Sequence, residues 1–327
     1  MTRSYSRTHM SLTALCLLLS ASLLASCSPT PRSDVEGASE SSRATDTVSA
    51  DPVKSLHAPA GGEIPVAFVV GKDSEVLDFC GPLEVFAGAA TADGHPLFKP
   101  YFVAASRSPV LVGGNMRVVP DYTFADAPAP KVVVIPAMND TTPEMITWIR
   151  RVAGGTDVTM SVCNGAFVLA RTGLLDGRPA TAHHGGYFRF AGRFPNVKLQ
   201  RGARFVESGN LASAGGISSG IDLALRVVER YVGRTQTLAL VDGMEYQGTG
   251  WEDSRSNGAY AKLPVSTPQH PICPLCQSDA DTTIHSVFRG TTYYFCSTGE
   301  KAFFDQHPEV MDRFLTEDAA SGLRAGH

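Results

Sequence analysis

Four runs of almost uninterrupted apolar residues limit what this chain can fold into: residues 64–70 (IPVAFVV), 101–105 (YFVAA), 131–136 (KVVVIP) and 158–162 (VTMSV). Each has the length of a strand, and each is apolar at consecutive positions, not at alternate ones. Such strands need cover on both faces, which is the condition of a parallel sheet flanked by helices. Helical patterns stand between and after them, at residues 84–90, 143–152 and 218–232, the last closed by Gly233. The expected class is α/β, a doubly wound parallel sheet. Sheets of this kind hold ligands outside the carboxyl ends of their strands.

Cys163 stands at one such end. Residues 158–162 read as a buried strand and residues 164–170 (NGAFVLA) as the helix after it, with Gly165 allowing close backbone approach. A cysteine on a sharp strand-to-helix turn has the geometry of a nucleophile elbow. Unpaired N–H groups at a helix start would lower its thiol pKa. A buried structural cysteine is the alternative.

The ends of the chain have a different character. The 327 residues are 43% hydrophobic and 18% charged, with formal net charge −4, which leaves no basic footprint for nucleic acid. Arg3 and Arg7 precede an apolar stretch, residues 11–26, that is short for a transmembrane helix and ends in Leu24-Ala25-Ser26-Cys27. Residues 28–62 are rich in Ser, Thr, Asp, Glu, Pro and Ala and read as a disordered tether reaching roughly 30 Å. Residues 247–268 read as a linker. Beyond them come Cys273-x-x-Cys276 and Cys296, a spacing that suits one soft or borderline cation, zinc or copper. Glu300, His270, His285 or an exogenous ligand would complete the shell. A Cys273–Cys276 disulfide is the competing reading.

Three resemblances sharpen this. The segment VCNGAFVLA at 162–170, then GLLDGRPATAH at 173–183, LDFCGPLEVF at 77–86 and AGGISSGIDLAL at 214–225 resemble the ThiJ/PfpI superfamily, in the branch of isonitrile hydratase and of AraC-type ligand domains. The likeness spans about residues 64–246. It implies the flavodoxin-like, class I glutamine amidotransferase-like fold, with Cys163 as nucleophile and Asp78 as its partner. Asn164 stands where proteolytic relatives have His, so a protease is not expected. Glu84 matches a family Glu that would orient the site, though an acid at a helix start is an equal reading. His183 is a candidate base, with a structural role an equal reading. Departures occur at Pro136-Ala137-Met138, where relatives carry Pro-Gly-Gly, and at Asn164 in place of Thr. Cys80 could pair with Cys163 but is expected as a buried free thiol.

The sequence LASC at 24–27 is similar to a bacterial lipobox, implying cleavage before Cys27 and a lipid anchor in the envelope (outer membrane facing the periplasm in a Gram-negative host). The C-terminal stretch, with GTTYYFCS at 290–297, resembles the YHS domain. The organisation that results is a lipoprotein signal at 1–26, a tether at 27–62, a ThiJ/PfpI-like domain at 63–246, a linker at 247–268, a YHS-like metal-binding module at 269–312 and a tail at 313–327. The large domain is expected to use no cofactor. Expected partners are a small-molecule ligand or substrate and the membrane, with a homodimer left open. The resulting expectation is an envelope protein that hydrates or hydrolyses a small carbon–nitrogen compound. A non-catalytic binding or redox/metal-sensing protein is the alternative.

Overall fold

A computed structural model describes residues 55–58 and 62–320. The expected signal segment, Cys27, nearly all of the tether and the last residues of the tail lie outside them. In chain order the main strands are β1 (Ile64–Val69), β2 (Phe98–Ala104), β3 (Tyr122–Thr123), β4 (Val132–Ile135), β5 (Val158–Val162), β6 (Phe205–Ser208) and β7 (Leu211–Ala214). They form one sheet in the order β6-β7-β5-β4-β1-β2-β3, parallel throughout except for the β6–β7 hairpin at one edge.

The helices are α1 (Val76–Gly88), α2 (Pro143–Ala153), α3 (Gly165–Arg171), α4 (Tyr187–Arg193), α5 (Ser219–Val232) and α6 (Arg234–Gly243). They cover both faces, and the alternation of β1 shows how. Ile64, Val66 and Phe68 pack with Phe79 and Phe86 of α1 and Leu223 and Val227 of α5. Ala67 and Val69 face the other way, into a core with Trp148 of α2, Leu169 of α3 and Phe188 of α4. This is the doubly wound parallel sheet expected from the apolar runs. Burying a large apolar side chain of this kind stabilises the fold by about 1.5–3 kcal/mol each.

One helix differs from its expected span in an instructive way. α1 begins eight residues before the expected start at 84 and runs through Pro82. The Gly81-Pro82 pair reads as a break in sequence, yet here it serves packing. A Cβ on Gly81 would press on Ile221, and Pro82 lies against Gly220, so the pair lets α1 and α5 cross closely. At its far end α5 terminates where expected, with Gly233 at φ 80°.

The C-terminal region is a hairpin, β8 (Asp281–Phe288) and β9 (Thr291–Phe295), followed by α7 (Thr298–Gln306) and α8 (Pro308–Ala320). α8 continues past the expected module end at 312, with Phe314 buried. The region shares a core with the sheet: Phe188 of α4 stacks on Phe304 of α7 at 5.5 Å and meets Phe314 edge-on at 6.0 Å. Arg189 of α4 pairs with Glu300 of α7. Nor is the stretch 247–268 a free spacer. Trp251 is buried beneath Arg234, whose guanidinium carbon lies 4.3 Å from the ring centroid, and Asn257 is buried as well. The end of the expected tether is likewise held, because Leu56 donates its N–H to the Arg230 carbonyl at 2.8 Å.

Candidate functional site

β5 delivers Cys163 to the carboxyl edge of the sheet, and the chain turns there into α3. The turn is sharp enough to force Cys163 to φ 58°, a left-handed conformation unusual for a residue with a side chain. Its N–H is shared between the carbonyls of Ala214 at 3.1 Å and Gly215 at 2.9 Å, which ties the elbow to the end of β7. Gly165 is required by this turn: a Cβ there would overlap the Ile135 carbonyl and Pro136. The elbow geometry expected from the sequence is therefore present.

The expected exposed and acidic thiol is not. Cys163 is 5% exposed. Burial, and then the charge of Asp78, push its thiol up to about 12. Hydrogen bonds from the backbone N–H groups of Asn164 and Ile217 favour the thiolate but do not offset burial. α3 has only seven residues, and its start does not rescue the acidity of the thiol.

Asp78 sits in the first turn of α1 and is fully buried. Its Oδ2 accepts the Ala137 N–H at 2.9 Å, while its Oδ1 has no hydrogen-bond partner among the described residues. Desolvation raises its pKa to about 7, opposed by the Ala137 N–H and reinforced by Glu75. Ala137 is held on both sides, since its carbonyl accepts the Glu75 N–H at 2.8 Å. The segment Pro136-Ala137-Met138 is thus locked to the start of α1, and the Ala137 amide is already committed to the carboxyl group.

The other expected residues are distributed unevenly. Asn164 is exposed and its side-chain oxygen lies against Gly186. His183 is placed by the Thr181 N–H, which donates to Ser213 Oγ of β7 at 2.8 Å. Its Nδ1 accepts the Gly185 N–H at 3.0 Å, and burial lowers its pKa. Its ring edge faces Gly216, beside Ile217. Glu84 is outside the site: it is exposed in the third turn of α1, because that helix starts earlier than its apolar residues suggest. Cys80 is a partly buried free thiol of α1, and no disulfide occurs among the described residues.

Sequence reasoning gave no role to Ile217, whose N–H faces the sulfur, and it missed a pocket next to it. A cavity of about 160 Å³ is lined by His183, His184, Arg204, Ile217, Asn257 and Tyr260, among others. Gly215-Gly216-Ile217 lies in a segment similar to the family, but its residue types carry no mark of chemistry. Asn257 and Tyr260 lie in a stretch that composition marks only as linker.

In the C-terminal region the sulfurs of Cys273, Cys276 and Cys296 lie within 4.8 Å of one another, with Cys276 and Cys296 at 3.4 Å. Four thiolates around zinc at ~2.3 Å stand roughly 3.8 Å apart, so the triad fits a soft or borderline cation. Burial raises the Cys276 thiol, but hydrogen bonds from Ser278 and from the two neighbouring cysteines outweigh it and leave its pKa lowered. Cys296 is raised to about 12, by burial first and then by its bond to Cys276. The expected fourth ligands do not join the cluster. Glu300 is taken by Arg189, the His285 ring meets the Thr282 carbonyl at 3.2 Å, and no His, Asp or Glu among the described residues groups with the three sulfurs.

An elbow cysteine at the carboxyl edge of a doubly wound parallel sheet, facing a buried acid from the first helix, defines a class of α/β proteins with a thiol site. The chain belongs to the DJ-1/PfpI family, whose model matches residues 65–230. It is 31% identical over 173 residues to an isonitrile hydratase of Pseudomonas putida, a match covering 51% of this chain and 72% of that protein. It is 27% identical over 136 residues to the HTH-type transcriptional regulator CdhR of Pseudomonas aeruginosa, spanning 40% of each. Among solved structures, a ThiJ/PfpI family protein from Pseudomonas syringae superposes with a TM-score of 0.51 at 26% identity, over 57% of this chain and 76% of that one.

Proposed function

We propose that the Cys163 elbow carries thiol-dependent hydration or hydrolysis of a small carbon–nitrogen compound, with isonitrile to N-substituted formamide as the model reaction. The observation that carries this reading is the buried Asp78 carboxyl, with one oxygen pinned by Ala137 and the other without a partner among the described residues, beside a protonated cysteine. A thiol near 12 needs a base, and a carboxyl group near 7 can serve as one at neutral pH. The Asp78 carboxylate takes the sulfur's proton as sulfur attacks the terminal carbon, and gives that proton to the carbon. A thioimidate results. Water then adds to its carbon, the carbon–sulfur bond breaks, and the formamide leaves with the proton returned to sulfur. The terminal carbon of an isonitrile is linear and narrow, which suits a cysteine that is almost closed off. The likeness to isonitrile hydratase supports the substrate class. Turnover of an alkyl isonitrile by the lipid-free chain tests it: Cys163→Ser should abolish turnover, and Asp78→Asn should lower it ~10²–10⁴-fold. A folded wild-type protein with no turnover leaves the binding-protein reading, which the likeness to CdhR supports.

The sulfur triad supports a second role, binding of zinc or copper by Cys273, Cys276 and Cys296 in a YHS-like module. Such an ion would be held by thiolates, with Cys276 ionised most readily. Lipidation of Cys27, which lies outside the described residues, remains our proposal for location. Intact-mass measurement of membrane-extracted protein tests it, and an unmodified Cys27 refutes it.

A further inference from the structure

The pocket beside the elbow is built partly from residues after the family's matched span, and its polar groups have an unusual balance. Arg204 supplies the cationic group of its lining, but that charge is cancelled by the fully buried Asp222. The rest of the guanidinium donates to Asn257 Oδ1 at 3.2 Å and Ser218 Oγ at 3.1 Å. The Asn257 amide in turn donates to Ser219 Oγ at 3.3 Å. These groups are spent on one another.

Two imidazoles are not. The rings of His183 and His184 lie 4.3 Å apart, and His184 stacks on Tyr260 at 4.8 Å. On His183, Nδ1 accepts the Gly185 N–H, so the proton is on Nε2, which has no hydrogen-bond partner among the described residues. On His184, Nδ1 lies 2.7 Å from Gln277 Oε1, an acceptor, so the proton is on Nδ1 and Nε2 is left as an acceptor. Neither ring carries charge in this arrangement, and burial lowers the pKa of both, that of His184 to about 4. Both rings line the pocket, so the pair brings it one ring N–H donor and one ring acceptor, beside a guanidinium already paired with Asp222.

We infer that this pocket binds a small neutral carboxamide, its carbonyl oxygen accepting from His183 Nε2–H and its N–H donating to His184 Nε2. The pocket opens to solvent, so its volume of about 160 Å³ is room for the carboxamide group itself and leaves the rest of the ligand free to extend outward. A carboxylate lacks the donor that His184 needs and finds no free cation. An ammonium lacks the acceptor that His183 needs. Gln277 is a positioning residue: it fixes the tautomer of His184 from outside the pocket. Its backbone is fixed in turn by the cysteine turn, through its N–H to the Cys273 carbonyl at 2.8 Å. The inference concerns binding alone and does not depend on turnover at Cys163.

NMR of the lipid-free chain carrying ¹⁵N-labelled histidine, titrated at pH 7 with acetamide, acetate and methylammonium, tests it. Acetamide should shift the Nε2 resonances of His183 and His184 and saturate at a concentration at least about tenfold below either ion, one lost hydrogen bond to a buried group being worth roughly that factor. Cys163→Ser should leave the titration unchanged, which separates this result from any failure of catalysis. Gln277→Leu should give His184 a mixed tautomer signal and weaken acetamide about tenfold, with the circular dichroism unaltered. Acetate binding as tightly as acetamide, or no histidine shift with any of the three, overturns the inference. A Gln277→Leu protein with an unchanged His184 signal overturns the positioning role.

Discussion

Cys163 is held in a left-handed turn and closed off from water, so its chemistry rests on its neighbour more than on its own acidity. In chelator-treated protein at pH 7, an alkylating reagent should label Cys276 and the exposed Cys296 before Cys163, as peptide mapping would show. Cys276 has a lowered pKa and Cys296 is exposed, whereas Cys163 is both raised and buried. The sequence suggested the reverse. It displayed the turn and the helix start, but burial depends on α1 and the β7–α5 loop, which lie far from Cys163 in the chain on either side. Asp78 gives a second residue-scale prediction. Its pKa is about 7 in the fold and near 3.8 in the unfolded chain. The protonated form is favoured by folding, so this contribution is complete below about pH 4 and lost as pH rises through about 7. Asp78→Asn removes the dependence. Urea denaturation should find the variant more stable than wild type at pH 8.5, by up to ~4 kcal/mol, with the gap closing at pH 4.5. A gap that widens on acidification contradicts the assignment.

At the scale of elements, the apolar runs announced the strands and their parallel order, because period and length survive without context. What misled was punctuation. Gly81-Pro82 looks like a helix boundary, yet it is a close crossing of α1 and α5, and that error left Glu84 looking like a helix-start acid. The stretch 247–268 looked like a linker because its few anchors, Trp251, Asn257 and Tyr260, are scattered among small polar residues. Only the folded chain shows that two of them line a pocket. The docking of α7 on α4 was not legible either, since it rests on ring pairs more than 100 residues apart. Phe304 is the hub of that contact, meeting Phe188, Phe288, Tyr293 and Phe295. Phe304→Ala should lower stability by ~3–5 kcal/mol in chemical denaturation. A loss under ~1 kcal/mol would mean that the C-terminal region does not share the core.

At the scale of the whole molecule, the two chemical centres are joined by one short path. Gln277 follows Cys276 directly and reaches His184, and the Cys276 carbonyl lies against Gly185. Metal loading of the sulfur triad should therefore tighten the pocket end of the molecule. Protein purified without affinity metal should contain zinc or copper by elemental analysis, and Cys296→Ser should lose it. Removing the metal should broaden the His184 resonance, and a His184 signal indifferent to chelation contradicts the link. The measurement that bears most directly on the central claim is turnover of an alkyl isonitrile in deuterated water, followed by proton NMR. The account predicts enzyme-dependent formation of the N-alkylformamide with deuterium on its formyl carbon, rising with pH through about 7 as Asp78 ionises, and none from Cys163→Ser. Formamide produced by Cys163→Ser at the wild-type rate would contradict it.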